Sequence, residues 1–249
     1  MTNNQSMMKF FRTIRQTSLT ENKFSKYLIY AIGEIILVVI GILIALQVNN
    51  LNENRQIEAL EISLLKEMLV NLQADIHDMR INIGYHERSI QSAKIILYSF
   101  ENELLDNDTL HTHYAIASML PRFLITKNAY NSIDREGMRI IQNDSLRNAI
   151  TNHYEQTTTF LTDWNDADWE NWRQDHREMY RQYFKEFSFF DSLVPTNYYD
   201  LSTNSQYKNY LNNRISWFTL TNNLYEKSGI NSAEKLINLI KKELKKRAE

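Results

Sequence analysis

The longest apolar run in the chain extends from Tyr27 to Val48 and reads YLIYAIGEIILVVIGILIALQV. A helix of about 22 residues is about 33 Å long, which is enough to cross a hydrocarbon core of about 30 Å. The run is longer than the apolar region of a cleavable secretory signal, and asparagines follow it instead of a small-residue cleavage site. The pattern predicts an uncleaved transmembrane helix over 27–48, with a basic segment before it, 1–26, and a helical domain after it, 49–249.

Beyond the apolar run, apolar positions recur at spacings of three, four or seven, which is typical of an amphipathic helix with one buried face. This pattern starts at Ile57 and predicts a helix that ends near Leu105. A second helix, capped by Asp108 or Thr109, is expected to end near Pro121. The two helices are predicted to form an antiparallel hairpin.

The rest of the chain again shows helical spacing, and only 5 Gly and 2 Pro occur in the whole sequence. Gly137 is expected to close one short helix, and Phe189–Asn204 is expected to be a loop. The predicted helices after the hairpin are 128–136, 144–187, 206–227 and 231–248. The pattern therefore predicts an all-α fold, in which one N-terminal transmembrane helix continues into an antiparallel helical bundle.

Positive charge is concentrated before the apolar run, where a single acid, Glu21, accompanies five cations: Lys9, Arg12, Arg15, Lys23 and Lys26. The segment after the run mixes both signs. Because cytoplasmic flanks carry the excess of Lys and Arg, we expect the N-terminus in the cytoplasm and the chain from about Asn50 onward in the periplasm. This predicts a protein of the bacterial inner membrane. Residues Met7–Ile14 are expected either to form a short interfacial helix or to remain a frayed tail.

Glu34 is the one acidic residue inside the apolar run. If it lay at the interface, about 14 apolar residues would remain, which is about 21 Å and too short to span. We therefore expect it inside the hydrocarbon, protonated or paired with a donor on another helix. Beside it runs a stripe with small members that lets a second helix approach: Gly33, Leu37, Gly41 and Ala45. The pattern predicts contact with a second copy or another membrane protein. The alternatives are a snorkelling glutamate and a proton relay.

Composition and motifs exclude several function classes. A net charge of -2 argues against nucleic acid as a partner, and the absence of Cys excludes thiol and iron-sulfur chemistry. The common phosphate, dinucleotide, hydrolase and zinc-protease signatures are missing, so we expect no catalytic residue, cofactor or metal. His111 and His113 would point to different sides of a helix. The acidic stretch Asp163–Trp172 lacks the Gly and Glu that a calcium loop requires.

Two polar residues lie among regularly spaced tryptophans. Asp168 and His176 are eight residues apart and are expected on the same helical face as Trp164 and Trp172. Buried polar groups need hydrogen-bond partners. The pair is therefore predicted either to line a ligand pocket or to form a satisfied polar seam in the core.

The stretch FFRTIRQTSLTENKFSKYLIYAIGEIILVVIGILIALQVNNLNENR, from Phe10 to Arg55, resembles the N-terminal signature of a family of single-pass membrane proteins from the Bacteroidota, domain of unknown function family 6090. The stretch Ser132–Tyr154 is similar to the more variable helical part of that family. Leu51 stands where many relatives have Trp. The resemblance implies a membrane anchor and an exported helical domain, and it implies no activity or site.

Three hypotheses for function follow. The first is a non-catalytic interaction, scaffold or accessory protein of the inner membrane, which agrees with the missing motifs. The second is a sensor-like periplasmic domain that binds a ligand. The third is a membrane-tethered enzyme with an unfamiliar site. The lipid bilayer is the partner common to all three.

Overall fold

The computed structural model describes residues 23–188 and 191–248 of the chain. The described part is mostly helical, with one two-stranded sheet, so the all-α prediction is confirmed. The chain divides into two compact units, residues 1–59 and 60–249. The predicted interfacial helix over Met7–Ile14 lies outside the described residues.

Helix α1 begins at Lys23 and ends at Glu101. Between Leu28 and Ala59 its side chains are exposed, apart from the partly covered position of Gly33. The apolar part of this helix is long and apolar enough to cross a membrane, by length and composition. Its observed end lies four residues before the predicted end near Leu105.

Among its described residues, the second unit contains seven further helices and two strands. The helices are α2 Asp108–Ala117, α3 Asn128–Glu136, α4 Asp144–Thr151, α5 Thr158–Tyr183, α6 Tyr198–Thr203, α7 Ser205–Leu224 and α8 Asn231–Ala248, and the strands are β1 Phe184–Ser188 and β2 Ser192–Pro195. One π-helical turn, Asn152–Thr157, joins α4 to α5, and another, Tyr225–Ile230, joins α7 to α8. A 3-10 turn, Met138–Ile140, follows α3.

The contacts between α1 and α2 run in opposite chain directions. Ser89 Oγ donates to the carbonyl oxygens of Ile116, 2.9 Å away, and Ala117, 3.2 Å away. Ser92 Oγ, one turn further along α1, lies 3.1 Å from His113 Nδ1, one turn earlier in α2. This is the pairing expected of the predicted hairpin.

The predicted helix 144–187 and the predicted loop over Phe189–Asn204 are both wrong in part, because α5 ends at Tyr183 and strand β1 begins at Phe184. Strands β1 and β2 pair antiparallel, with Ser188 opposite Ser192. Helix α6 follows because the Asn197 side chain accepts hydrogen bonds from the backbone N–H groups of Tyr199 and Asp200, which caps its first turn. The elements are short, and the loop prediction rested on Pro195 and the abundance of Asn and Ser, which also favour caps and turns.

Two helix caps lie one residue earlier than predicted. The side chain of Asn107, not that of Asp108 or Thr109, accepts the backbone N–H of Leu110 at 3.1 Å. Likewise Asn143, not Asp144, caps α4. In both places Asn is followed by Asp, and either side chain is of a type that caps helices. The Asp lies in the first turn, where its negative charge interacts favourably with the helix dipole. The cap of α3 at Gly137 is confirmed, with φ +93°.

The predicted break at Gly229 is wrong, because α7 passes through the π-helical turn into α8 without a loop. Gly229 is buried, and a Cβ built on it would lie 2.5 Å from Met79 Sδ and 2.9 Å from Leu161 Cδ1. The glycine therefore permits a close approach between this turn and the side chains of α1 and α5.

The second unit buries two apolar clusters. One is centred on the α1 residues Leu65, Met68 and Leu72, with α3, α4 and α8 around them. The other surrounds Ile96 and Tyr114, with side chains from α2, strand β2 and α7. Helix α1 contributes to both clusters.

A buried ion-pair cluster joins three distant parts of this unit. Arg247, near the end of α8, donates to both carboxylate oxygens of Glu61 at 2.7 and 2.9 Å. Glu243 accepts from Arg247 and from Asn143, the cap of α4. Glu61 also accepts the backbone N–H of Gln142 at 3.1 Å. Arg247 in the basic C-terminal sequence therefore links α8 to α1.

Gly229→Ala is expected to lower the free energy of unfolding by about 1–3 kcal/mol, because Met79 and Leu161 must move within a closely packed core. Gly84→Ala is the matched control. Nothing lies within 4 Å of its added Cβ, and alanine favours the helix by up to about 1 kcal/mol. Unfolding of the detergent-solubilised full chain, followed by circular dichroism, measures both. An equal loss of stability in the two variants would contradict the packing argument.

Candidate functional site: an aromatic cavity

The connector between α2 and α3, together with the first turn of α3, is held by polar side chains on one face of α1. Asn71 Oδ1 accepts the backbone N–H of Ala129 at 3.1 Å. One turn later, Asp75 Oδ1 accepts that of Thr126 at 2.9 Å. The third acceptor, Asp78 Oδ2, lies 3.0 Å from the backbone nitrogen of Leu124. We call Asn71, Asp75 and Asp78 the acceptor ladder. The three residues are four and three positions apart, so they lie on one face of α1. There they accept backbone N–H groups that are not paired within a helix or strand.

Asp75 is the member of the acceptor ladder whose ionisation is most strongly affected by burial. Burial raises the pKa of its carboxyl to about 6, against the opposing hydrogen bond from Thr126. Its second oxygen, Oδ2, has no hydrogen-bond partner among the described residues. The ladder therefore fixes the connector at a cost in stability that depends on the charge of Asp75.

The connector forms one wall of a cavity of about 650 Å³. This volume lies within the range of small-molecule sites. The described residues around it come from α1, α2, the connector, α5 and the strands: Tyr85, Arg88, Ala115, Ile116, Ser118, Met119, Leu120, Pro121, Trp169, Trp172, His176, Tyr180, Ser188 and Leu193. We call this space the aromatic cavity, because four of its described lining residues are Trp or Tyr.

His176 lies within a stack of aromatic rings on α5. Its ring centroid is 4.1 Å from that of Trp172 and 3.5 Å from that of Tyr180. Trp172 is itself fixed, because its Nε1 donates to the carbonyl oxygen of Ser118 at 2.9 Å. Burial lowers the pKa of His176 to about 3, with a smaller effect from Arg214, so the imidazole is neutral at physiological pH. Its buried Nδ1 has no hydrogen-bond partner in the described part of the chain.

Asp168 lies against a different set of neighbours. Its Oδ1 is 2.7 Å from Nη1 of Arg214, and both side chains are buried. The guanidinium carbon of Arg214 lies 4.1 Å from the centroid of the Phe218 ring. Burial raises the pKa of Asp168, while the charge and hydrogen bond of Arg214 oppose that shift. The arrangement is a paired charge within the core, as buried carboxylates require.

The structure does not place Asp168 and His176 in one pocket. Asp168 borders a separate depression with Arg214 and Trp217, whereas His176 borders the aromatic cavity. Eight residues of α-helix turn the side-chain direction by about 80°, enough to separate the two. Of the described lining residues, only Trp172 borders both spaces.

The other polar residues considered from the sequence have local partners. His111 Nε2 lies 3.1 Å from Asp106 Oδ1, and His113 lies beside Ser92. Within the described ranges, no group of three or more His, Asp or Glu side chains is arranged to hold a metal ion. The stretch Asp163–Trp172 is part of α5. Three of its acids pair with separate cations: Asp166 with Arg122, Asp168 with Arg214 and Glu170 with Arg173.

The residues of the proposed membrane contact lie in the first unit. Glu34, Leu37, Gly41 and Ala45 are exposed there. A Cβ built on Gly33 or Gly41 meets no atom of another described element within 4 Å. The stripe therefore has no partner within the described part of this single chain.

Sequence reasoning missed the contribution of α1 to the cavity. Arg88, on α1, is one of the residues that line the cavity, and the guanidinium carbon of Arg88 lies 6.0 Å from the centroid of the Tyr85 ring. Both residues lie on positions that the helical pattern assigns to solvent, so only the three-dimensional arrangement identifies them. The regular spacing of aromatic residues along α5 was the one signal that pointed to this region.

No protein-family model, curated protein or solved structure matches this chain. The resemblance seen in the sequence therefore stays a prediction, and the argument for function rests on the chain's own residues.

Asp75→Asn is expected to change how stability depends on pH. Since the folded-state pKa of about 6 lies above the usual 3.8, the folded Asp75 carboxyl binds more protons than the unfolded one between these values, so Asp75 contributes a loss of stability as the pH rises through this window. The substitution removes that loss. The buried histidines, whose pKa values are lowered, act in the opposite direction in both the wild type and the variant. The difference in unfolding free energy, variant minus wild type, should therefore increase from pH 4.5 to pH 7. Chemical denaturation over a pH series measures it, and a constant difference would contradict the assignment.

Proposed function

We propose that this protein is a non-catalytic interaction or accessory protein of the bacterial inner membrane, anchored by the apolar part of α1. The observation that carries the proposal is the continuous exposure of apolar side chains from Leu28 to Val48. Soluble proteins rarely expose contiguous apolar surface of this extent, and a hydrocarbon core of about 30 Å matches the length of such a helix. The bilayer is the partner that would cover it.

The proposed topology has the N-terminus in the cytoplasm and the helices from 49 onward in the periplasm as an antiparallel bundle. The excess of Lys and Arg before the span supports this direction. The resemblance to single-pass proteins of the Bacteroidota agrees with it.

The chain contains no Cys, so a single introduced thiol reports the side on which it lies. Lys235→Cys, at an exposed position of α8, is expected to react with a membrane-impermeant maleimide in intact spheroplasts. Asn3→Cys is expected to react only after the membrane is opened. Mass-shift labelling measures both, and the reverse pattern would overturn the orientation.

We further propose that the anchor contacts a second copy or another membrane protein through Glu34 and the stripe Gly33, Leu37, Gly41 and Ala45. A carboxyl group in hydrocarbon is costly without a hydrogen-bond partner, and small residues permit close helix approach. The exposure of these positions in the single chain supports the proposal.

Glu34→Leu is expected to abolish close crosslinking of the anchor in native membranes, because it removes the polar group that favours pairing while keeping the helix apolar. Leu43→Ile is the control, since residue 43 lies on the opposite side of the helix from residue 34. Site-specific photo-crosslinking from position 37 measures both. Unchanged crosslinking in Glu34→Leu would contradict the pairing role.

A second candidate function is ligand binding by the periplasmic domain, in a sensor-like role. The aromatic cavity favours it, because concave apolar spaces with a few polar groups are the usual form of small-molecule sites. His176, with its unused ring nitrogen, is a polar group of that kind.

A further inference from the structure

The charge around the aromatic cavity has one sign. Its described lining contains Arg88 and neither Asp nor Glu. In the part of the chain that the structure describes, Arg88 forms no ion pair, and its one assigned contact is with the Tyr85 ring. A second cation, Arg122, lies with its guanidinium carbon 5.2 Å from the centroid of the Trp169 ring, and it is paired with Asp166. The lining therefore favours an anion over a cation.

The walls of the cavity favour a flat ligand. Trp169 and Trp172 are stacked, with ring centroids 5.4 Å apart and an interplanar angle of 21°. Trp169 is 38% exposed, so part of its ring remains available for contact. Trp172 and the guanidinium of Arg122 already contact this ring, so a planar ligand would meet its exposed part, edge to face or offset. A fused two-ring compound is small compared with the cavity volume of about 650 Å³.

We propose that the aromatic cavity binds a small planar aromatic carboxylate, with Arg88 facing the carboxylate and Trp169 contacting the ring. This assignment rests on the ligand-binding candidate function and adds the chemical class of the ligand. Neutral His176 offers its Nδ1 as a hydrogen-bonding group without adding charge. Arg88 has no acidic partner among the described residues of the chain, and the carboxylate of the ligand supplies one.

The test compares two probes of the same shape, 2-naphthoate and the neutral 2-naphthamide. Each is titrated calorimetrically into the full-length protein in lipid nanodiscs at pH 7.5, with empty nanodiscs as the blank. The wild type is expected to bind 2-naphthoate about fivefold more tightly than 2-naphthamide, the ratio expected of a partly exposed ion pair.

Arg88→Gln is expected to remove this preference by weakening 2-naphthoate about fivefold and leaving 2-naphthamide unchanged. Arg80→Gln is the matched control, because Arg80 lies on the same helix, is exposed and pairs with Glu234 away from the cavity lining. Trp169→Ala is expected to weaken both probes, since stacking does not depend on the charge.

The outcomes separate the two levels of the proposal. Equal binding of the two probes to the wild type overturns the carboxylate assignment and leaves ligand binding standing. No saturable binding of either probe overturns the ligand-binding candidate together with the assignment. A loss in Arg80→Gln equal to that in Arg88→Gln also overturns the assignment, because the effect would then follow net charge and not the cavity.

Discussion

The position of the chain between α2 and α3 depends on hydrogen-bond acceptors that α1 supplies. In the acceptor ladder, Asp75 and Asp78 accept the backbone N–H groups of Thr126 and Leu124, and Asn71 accepts that of Ala129 in the first turn of α3. The connector is therefore held against α1 without forming a helix or strand, and its Phe123 belongs to the apolar cluster around Met68 and Leu72. It also presents residues 119–121 to the aromatic cavity. The position of the cavity wall thus depends on side chains of α1.

Buried charges fix the register of the last two helices in a similar way. Arg214 of α7 is paired with Asp168 of α5, and Arg247 of α8 is paired with Glu61 of α1. Such pairs contribute little net stability compared with apolar contacts, yet any shift that separates the partners leaves a buried charge uncompensated. Gly229 adds a steric condition, because a side chain at this position requires Met79 and Leu161 to move beside the turn between α7 and α8. Together these contacts allow one alignment of the helices.

The sequence pattern predicts the long helices well because apolar spacing is a local property. The end of α3 follows from Gly137, the end of α1 lies four residues before its predicted position, and the apolar run from 27 to 48 is visible from composition alone. The π-helical turns at 152–157 and 225–230 were not predicted, because one extra residue in a turn is decided by packing. The acceptor ladder was also missed. Asn71, Asp75 and Asp78 interrupt an apolar face at helical spacing, and a pattern of apolar positions does not show which backbone groups they contact.

The aromatic cavity lies beyond sequence reasoning for a geometric reason. Its walls come from several separate stretches of the chain, and Arg88 occupies a position that resembles any solvated helix surface. Periodicity located His176 and Asp168 on α5, but an offset of about 80° over eight residues directs them to different neighbours. Asp168 is satisfied by Arg214 inside the protein, whereas Arg88 has no acidic partner among the described residues. Arg88 and two stacked tryptophans line the same cavity. An ionised side chain without an acidic partner at such a cavity is the kind of group that a ligand completes, and this contrast makes Arg88, and not Asp168, the residue on which the proposed binding function depends.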